Sequence, residues 1–192
     1  MGHIADKEFI RGEVPMTKQE IRAVSVAKLR LEKDSVLIDV GAGTGSVGIE
    51  AATYISLGKV YAIEKKSEGI ELIKENIKKF SIKNLEVIQG TAPDDLCIKN
   101  FDRMFVGGSG GRLDEIIKYF SDYSAEKSIV VINAITLETL SEVKNIFEKY
   151  KIKNIEIISM SVARGKKAGN YTMMFGENPI YIISGEKGEE NE

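Results

Sequence analysis

The chain has 192 residues, 43% hydrophobic and 29% charged, enough for one compact domain of ordinary globular composition and unlike a disordered or collagen-like protein. Its 27 basic and 29 acidic residues leave a net charge of −2, so nothing draws the chain as a whole toward nucleic acid or an anionic membrane. One cysteine, Cys97, excludes a disulfide framework, and one histidine, His3 at the terminus, argues against a zinc site, a histidine base or a serine–histidine triad.

In chain order, Met1 to Ile10 carries Asp6 and Glu8 among apolar residues and reads as neither signal peptide nor membrane span. No apolar run approaches the roughly 20 residues of a membrane helix, so a soluble cytoplasmic protein is expected. Thr17-Lys18-Gln19-Glu20 has the form of a capping box, and Ile21, Val24, Ala27 and Leu31 follow near helical spacing. A helix over about Lys18 to Arg30 is predicted, with Thr17 as its N-cap. Ser35 to Val40 is a short, apolar, buried strand, and Val47 to Tyr54 a helix. Lys59 to Ile63 follows as a strand, Ser67 to Phe80 as a helix, and Leu85 to Gln89 and Arg103 to Val106 as strands. Leu113 to Tyr123 is a helix, Ser128 to Ile132 a strand, and Leu137 to Tyr150 a helix; Ile155 to Met160 and Ile180 to Ser184 are strands. This alternation predicts an α/β fold, a doubly wound and mostly parallel sheet. The last two strands have no helix between them and should pair antiparallel at a sheet edge. The whole chain reads as one domain, with a short N-terminal segment (1–16) and a charged, frayed tail (185–192).

Asp39-Val40-Gly41-Ala42-Gly43-Thr44-Gly45 leaves the first strand and enters a helix. Glycines there permit positive φ and close approach of a ligand. Dinucleotide enzymes space their third glycine three residues after the second to hold a pyrophosphate. The tighter Gly-x-Gly-x-Gly found here suits S-adenosylmethionine, which has no phosphate. Glu64 ends the second strand and is placed to accept both ribose hydroxyls. In Gln89-Gly90-Thr91-Ala92-Pro93, after the third strand, Ala92 suits adenine packing. All three segments lie at carboxyl ends of strands, where ligands of open α/β sheets bind.

Further segments narrow the reading. They include Glu8-Phe9-Ile10-Arg11, Val14-Pro15-Met16-Thr17-Lys18, Val106-Gly107-Gly108-Ser109-Gly110-Gly111, Asn133-Ala134-Ile135-Thr136-Leu137-Glu138-Thr139, Ala163-Arg164-Gly165 and Asn178-Pro179. With the glycine turn they resemble the decarboxylating cobalt-precorrin-6B methyltransferase family, CbiT, over about Phe9 to Ile183; the same unit forms the C-terminal half of the fused enzyme CobL. The resemblance implies a Rossmann-like class I methyltransferase of cobalamin biosynthesis. Its reaction methylates C-15 of a cobalt-containing reduced tetrapyrrole and removes the carboxyl of the ring C acetate. The sister methylation at C-5 belongs to a separate CbiE-type subunit, and a homotetramer is implied. For S-adenosylmethionine, the resemblance carries onto Thr17, Gly41, Ala42, Gly43, Thr44, Gly45, Glu64 and Ala92. Thr17 has its capping role as well.

The substrate's carboxylates suit arginine. The Gly108-Ser109-Gly110 loop lies where a methyl acceptor sits, and its glycines would admit a flat macrocycle; the alternative is a flexible helix-entry turn. Arg112, just after it, is a substrate contact or a solvated arginine. Asn133 and Thr136 are substrate contacts or helix caps. The stretch Arg164 to Gly169 is an exposed basic hairpin or an arm reaching a neighbour or its substrate. Tyr171, Met173, Met174 and Phe175 read as core or subunit contact. No general acid or base and no metal ligand is assigned, since the macrocycle itself can supply the nucleophile and delocalise the electrons of decarboxylation. Two other readings stand beside this one: a methyltransferase acting on RNA or protein, and a cofactor-binding partner subunit.

Overall fold

The computed structural model describes residues 3–188. Its centre is β1 (Val36–Val40), a buried run whose only charge is Asp39. The crossover helix α2 (Ser46–Ala52) leads to β2 (Lys59–Glu64), and α3 (Ser67–Lys79) to β3 (Leu85–Gln89). These pair parallel on one side of β1, and β4 (Phe101–Val106) pairs parallel on the other. After α4 (Leu113–Tyr123), β5 (Ser124–Ala134) adds to β4; after α5 (Leu137–Lys149) comes β6 (Lys153–Met160). The seven-stranded order is β3-β2-β1-β4-β5-β9-β6, where β9 (Ile180–Glu186) runs antiparallel to both neighbours. The expected antiparallel pair therefore exists, with β6 outermost and β9 inserted against β5.

Strand alternation divides the core into two faces. Ile38, Val40, Met104, Val106, Val130 and Ile132 pack with α4 and α5. Leu37, Phe105, Ile129 and Val131 pack with α1 (Gln19–Lys28) and α2. The helical faces supply matching stripes, such as Ile116, Ile117 and Phe120 on α4 and Val143, Ile146 and Phe147 on α5.

Three expectations are corrected. No capping box forms at α1: the N-cap is Lys18, with no side-chain cap bond. The Glu20 carboxylate is instead held by Arg164 at 2.7 and 3.1 Å, a charge-assisted bidentate contact stronger than a bond to a backbone N–H. Gly185 and Glu186 are not tail: they complete β9, opposite Val130 and Ile129. Lys187 is also held, donating from N to Ser128 O at 2.9 Å and from Nζ to Ser124 O at 2.8 Å, and the last part of the expected tail, 189–192, lies outside the described residues. Finally, the exposed basic hairpin weighed for Arg164 to Gly169 does form, but as a second sheet that also takes in the apolar run after it. β7 (Ala163–Ala168) and β8 (Tyr171–Gly176) form a separate antiparallel hairpin, on which Tyr171, Met173, Met174 and Phe175 are 46–78% exposed rather than core.

The N-terminal segment is pinned by a buried ion network. Arg22 of α1, fully buried, donates from Nε to Glu50 Oε2 (2.7 Å) and from Nη1 to Asp6 Oδ1 (3.1 Å) and the Thr17 carbonyl (2.7 Å). Its Nη2 reaches the Ile4 carbonyl, its guanidinium covers the Phe9 ring, and His3 closes on the other Glu50 oxygen at 2.6 Å. Further along, Asn76 of α3 exchanges hydrogen bonds with Ile10 N and O. Glu50→Gln, which leaves the Arg22 charge short of its buried partner, should cost roughly 3–5 kcal/mol in chemical denaturation; a loss below about 1 kcal/mol would show that the network contributes little.

Candidate active site

The turn after β1 is fastened from both sides. Gly41 N and Ala42 N donate to the Ile63 carbonyl at the end of β2 (3.0 and 3.1 Å), and Gly107 N donates back to Val40 O (2.9 Å). Gly41 and Gly43 have φ of +68° and +58°. A Cβ on Gly41 would stand 2.5 Å from Gly108 O, and one on Gly43 2.8 Å from Pro15 O. Side chains are thus excluded by both conformation and space.

Above the turn lies a cavity of about 650 Å³ at the carboxyl ends of the strands. Of the residues singled out from sequence, Thr17, Gly41, Ala42, Gly43, Glu64, Ala92, Gly108, Ser109, Gly110 and Asn133 line it. Thr44 and Gly45 do not reach its wall: Thr44 is buried, and Gly45 caps α2 in the left-handed region, against Ile73. Arg112, Thr136 and Arg164 are also off the wall. Arg112 is spoken for by Asp94, a bidentate contact at 2.6 and 2.9 Å, and by Glu115. Thr136 caps α5, accepting from Thr139 N at 3.1 Å. Arg164 is clamped between Glu20 and Glu177, which draws the Glu20 carboxyl down to about 2.

Glu64 is almost fully buried and holds the site's loops together. Its Oε2 accepts from Gly43 N and its Oε1 from Lys66 N, both at 2.9 Å. A carboxylate offers about four acceptor positions, so both oxygens keep capacity for a ligand's hydroxyls.

Sequence reasoning assigned no role to Asp39. Its Oδ2 accepts from Gly48 N at 2.9 Å, while its buried Oδ1 has no hydrogen-bond partner among the described residues; Asp39 is one of the residues on the cavity wall. Burial pushes its carboxyl up to about 7; the charge of Glu64 adds to this and the Gly48 N–H opposes it. The available signal was a carboxylate on a strand otherwise apolar and buried on both faces. A buried acceptor without a partner, on a residue of the cavity wall, is left for a ligand's donor to satisfy.

The cavity changes character along the sheet. Over β2 and β3 it is polar, with Glu64, Lys65, Lys66 and Thr91; over β5, β9 and β6 it is walled mainly by Ile135, Ile180, Met160 and Val162, with Asn133, Glu177 and Asn178 among them. The first half suits a nucleoside with hydroxyls and the second a large apolar ring. Among the described residues no cluster of His, Cys, Asp or Glu could hold a metal ion, and no helix is long and apolar enough to cross a membrane.

Residues 8–187 match the model of a family described as the precorrin methyltransferase domain. A protein of Saccharolobus solfataricus named a probable cobalt-precorrin-6B C(15)-methyltransferase (decarboxylating) is 41% identical over 189 residues, covering 96% of this chain and 95% of that one. The crystal structure of a precorrin-6y C5,15-methyltransferase from Geobacter metallireducens superposes with a TM-score of 0.90 at 38% identity, covering 96% of this chain and 97% of the other. A precorrin 8W decarboxylase from Methanobacterium thermoautotrophicum gives 0.88 at 33% identity, with 95% and 98% covered.

Asp39 carries a pH signature. A carboxyl raised in the folded state stabilises fully below its unfolded value, 3.8, and that contribution is lost as pH rises through about 7. Asp39→Asn removes the charge while keeping an acceptor for Gly48 N. The variant should therefore unfold at a higher temperature than the wild type at about pH 8, with the gap closing toward about pH 5; an equal gap at both would mean that Asp39 is not the titrating group.

Proposed function

Because the chain belongs to the precorrin methyltransferase family, we propose that it methylates a cobalt-precorrin at C-15 with S-adenosylmethionine, with loss of the ring C acetate carboxyl as carbon dioxide, in cobalamin biosynthesis. The observation that carries this reading is the two-part cavity, nucleoside-like at one end and apolar at the other, joined across the glycine turn. S-adenosylmethionine, when bound, supplies an electrophilic methyl group on a sulfonium. The residues present fit it. Glu64 offers acceptors to the ribose hydroxyls, and Ala92 packs the adenine. The bare Gly41–Gly43 backbone admits the chain of the methionine, and Asp39 Oδ1 meets a donor or positive charge from it. The Val14–Lys18 segment covers the turn from above, with Thr17 on the cavity wall.

What the protein contributes to the chemistry is placement. Among the described residues the cavity wall carries no histidine or cysteine, the acid on its acceptor side, Glu177, is paired with Arg164, and the electron-rich macrocycle requires no protein nucleophile or base. The Gly107–Gly111 loop brings mostly backbone to the tetrapyrrole, with Ser109 its one side chain on the wall, and a Cβ on Gly108 would meet nothing within 4 Å. Lys18, Lys65 and Lys66 on the wall are the cations nearest its carboxylates. The enzyme works in the cytoplasm, and methylation at C-5 falls to a separate enzyme of the CbiE type. Mass spectrometry of a reaction with S-adenosylmethionine and cobalt-precorrin-6B should find product one methyl heavier and one carbon dioxide lighter. Methylation without that loss would remove the decarboxylase assignment. An unchanged tetrapyrrole, with cofactor binding intact, would favour another acceptor or the partner-subunit reading.

The assembly is a homotetramer. A two-stranded sheet is marginal alone in water, yet β7–β8 stands apart from the main sheet with Tyr171, Met173 and Phe175 on one face and Met174 on the other. Edge strand β6, which leads into it, exposes Ile155 and Ile157. A second copy of the chain covers such a surface, pairing hairpin with hairpin. Met174→Glu with Phe175→Lys should reduce the mass in sedimentation from tetramer toward monomer; an unchanged mass would place the subunit contact elsewhere.

A further inference from the structure

Alternation along β5 turns Ile129, Val131 and Asn133 to the α1 face of the sheet, so an amide occupies a position in an apolar series. Its partner is Ser25, fully buried on α1 and 108 residues away in sequence. The Ser25 hydroxyl shares its one proton between two acceptors, Asn133 Oδ1 at 3.0 Å and the Ile21 carbonyl at 2.9 Å. This ties the Asn133 side chain to α1. Asn133 is a neutral amide on the cavity wall whose Nδ2 has no partner among the described residues, with Ile135, Ile180 and Met160 also on that wall.

Resting on the functional reading above, we propose that Asn133, oriented by Ser25 as a positioning residue, holds the acetate carboxylate that departs as carbon dioxide. A cation there would stabilise the carboxylate and oppose its loss, since only interactions stronger in the transition state accelerate a step. A neutral donor orients the group, while the apolar wall leaves its charge poorly solvated and favours passage of that charge into the ring. In the step, the bond between the acetate methylene and the carboxyl carbon breaks. Its electron pair goes to the methylene carbon, delocalised over the conjugated ring, and carbon dioxide leaves. A proton from water completes the methyl group and leaves hydroxide. The residues that β5, β6 and β9 bring to the wall include no cation, whereas Lys18 at the N-cap of α1 and Lys65 and Lys66 after β2 remain for carboxylates that are kept.

The test is the partition of product. Wild type, Ser25→Ala, Ser25→Thr and Asn133→Ala are given S-adenosylmethionine and cobalt-precorrin-6B, and methyl transfer and carbon dioxide loss are scored separately by mass, with cofactor affinity measured alongside. In Ser25→Ala and Asn133→Ala, carbon dioxide loss should fall at least about tenfold further than methyl transfer, giving methylated product that retains its carboxyl; Ser25→Thr, which keeps the hydroxyl, should restore the wild-type ratio. The two reactions falling in parallel, or a wild-type ratio in Ser25→Ala, would overturn the assignment. Should Ser25→Ala lose cofactor affinity through misfolding, Asn133→Ala decides alone. A wild type that leaves the tetrapyrrole untouched overturns the functional reading, and this assignment with it.

Discussion

A carboxylate at the end of a strand buried on both faces sets the geometry around it. Asp39 cannot reach water, and its one internal donor is Gly48 N, in the helix that follows the turn. That bond ties β1 to α2 across the glycine turn, so the turn has fixed ends and little slack. Its remaining contacts tighten it further: Ile63 O takes two of its N–H groups, Glu64 takes a third at Gly43, and Gly108 lies against Gly41. The cavity floor is thus built of backbone held in place from β2, β4 and α2 together. The cost is a buried acid with an unpaired oxygen. Keeping a destabilising charge where a cationic ligand group can meet it is the usual conflict between stability and function at a binding site.

The roof depends on a second buried charge. Residues 3–18 have no strand to join, and a segment of this kind stays in place only if its polar groups are satisfied. Arg22 provides for this by collecting Glu50, Asp6 and the carbonyls of Ile4 and Thr17 around one guanidinium. Asn76 does the same for Ile10, and also bonds Thr44 O within the glycine turn. The chain entering the cavity wall at Val14–Lys18 is therefore anchored on α1, α2 and α3. The same helices carry the floor, so roof and floor share one framework.

Much of this was legible in the sequence, because periodicity and turn chemistry coincide where the core is made. β3 occupies the expected Leu85–Gln89, and Glu64 ends β2 as expected. The family resemblance added the activity, which no periodicity contains. The failures share a cause: each residue's partner lies outside the local pattern that was read. Thr17-Lys18-Gln19-Glu20 has local capping spacing, but Arg164, 144 residues away, takes the acid. Arg112 looks free until Asp94 is folded beside it. β7 has the composition of a solvated basic loop, Ala-Arg-Gly-Lys-Lys-Ala, and becomes a strand only by pairing with Tyr171–Gly176. The role of Ser25 is likewise invisible without knowing that Asn133 lies across from it.

The two arginines drawn to attention by their charge are neutralised by carboxylates on the protein's own surface, and this clarifies how a substrate rich in carboxylates could be handled. Each guanidinium is matched by two acids, Asp94 and Glu115 for Arg112, Glu20 and Glu177 for Arg164. Arg164 joins α1 to the base of the hairpin, and Glu177 extends that link to the cavity rim. Its charge serves to hold an apolar pocket in shape. With strong cations engaged at the edges, the acceptor half remains a low-dielectric surface with an oriented amide. Such a surface is a poor binder of carboxylates and a suitable place to lose one: charge that is weakly held in the ground state is better accommodated when spread over a conjugated ring.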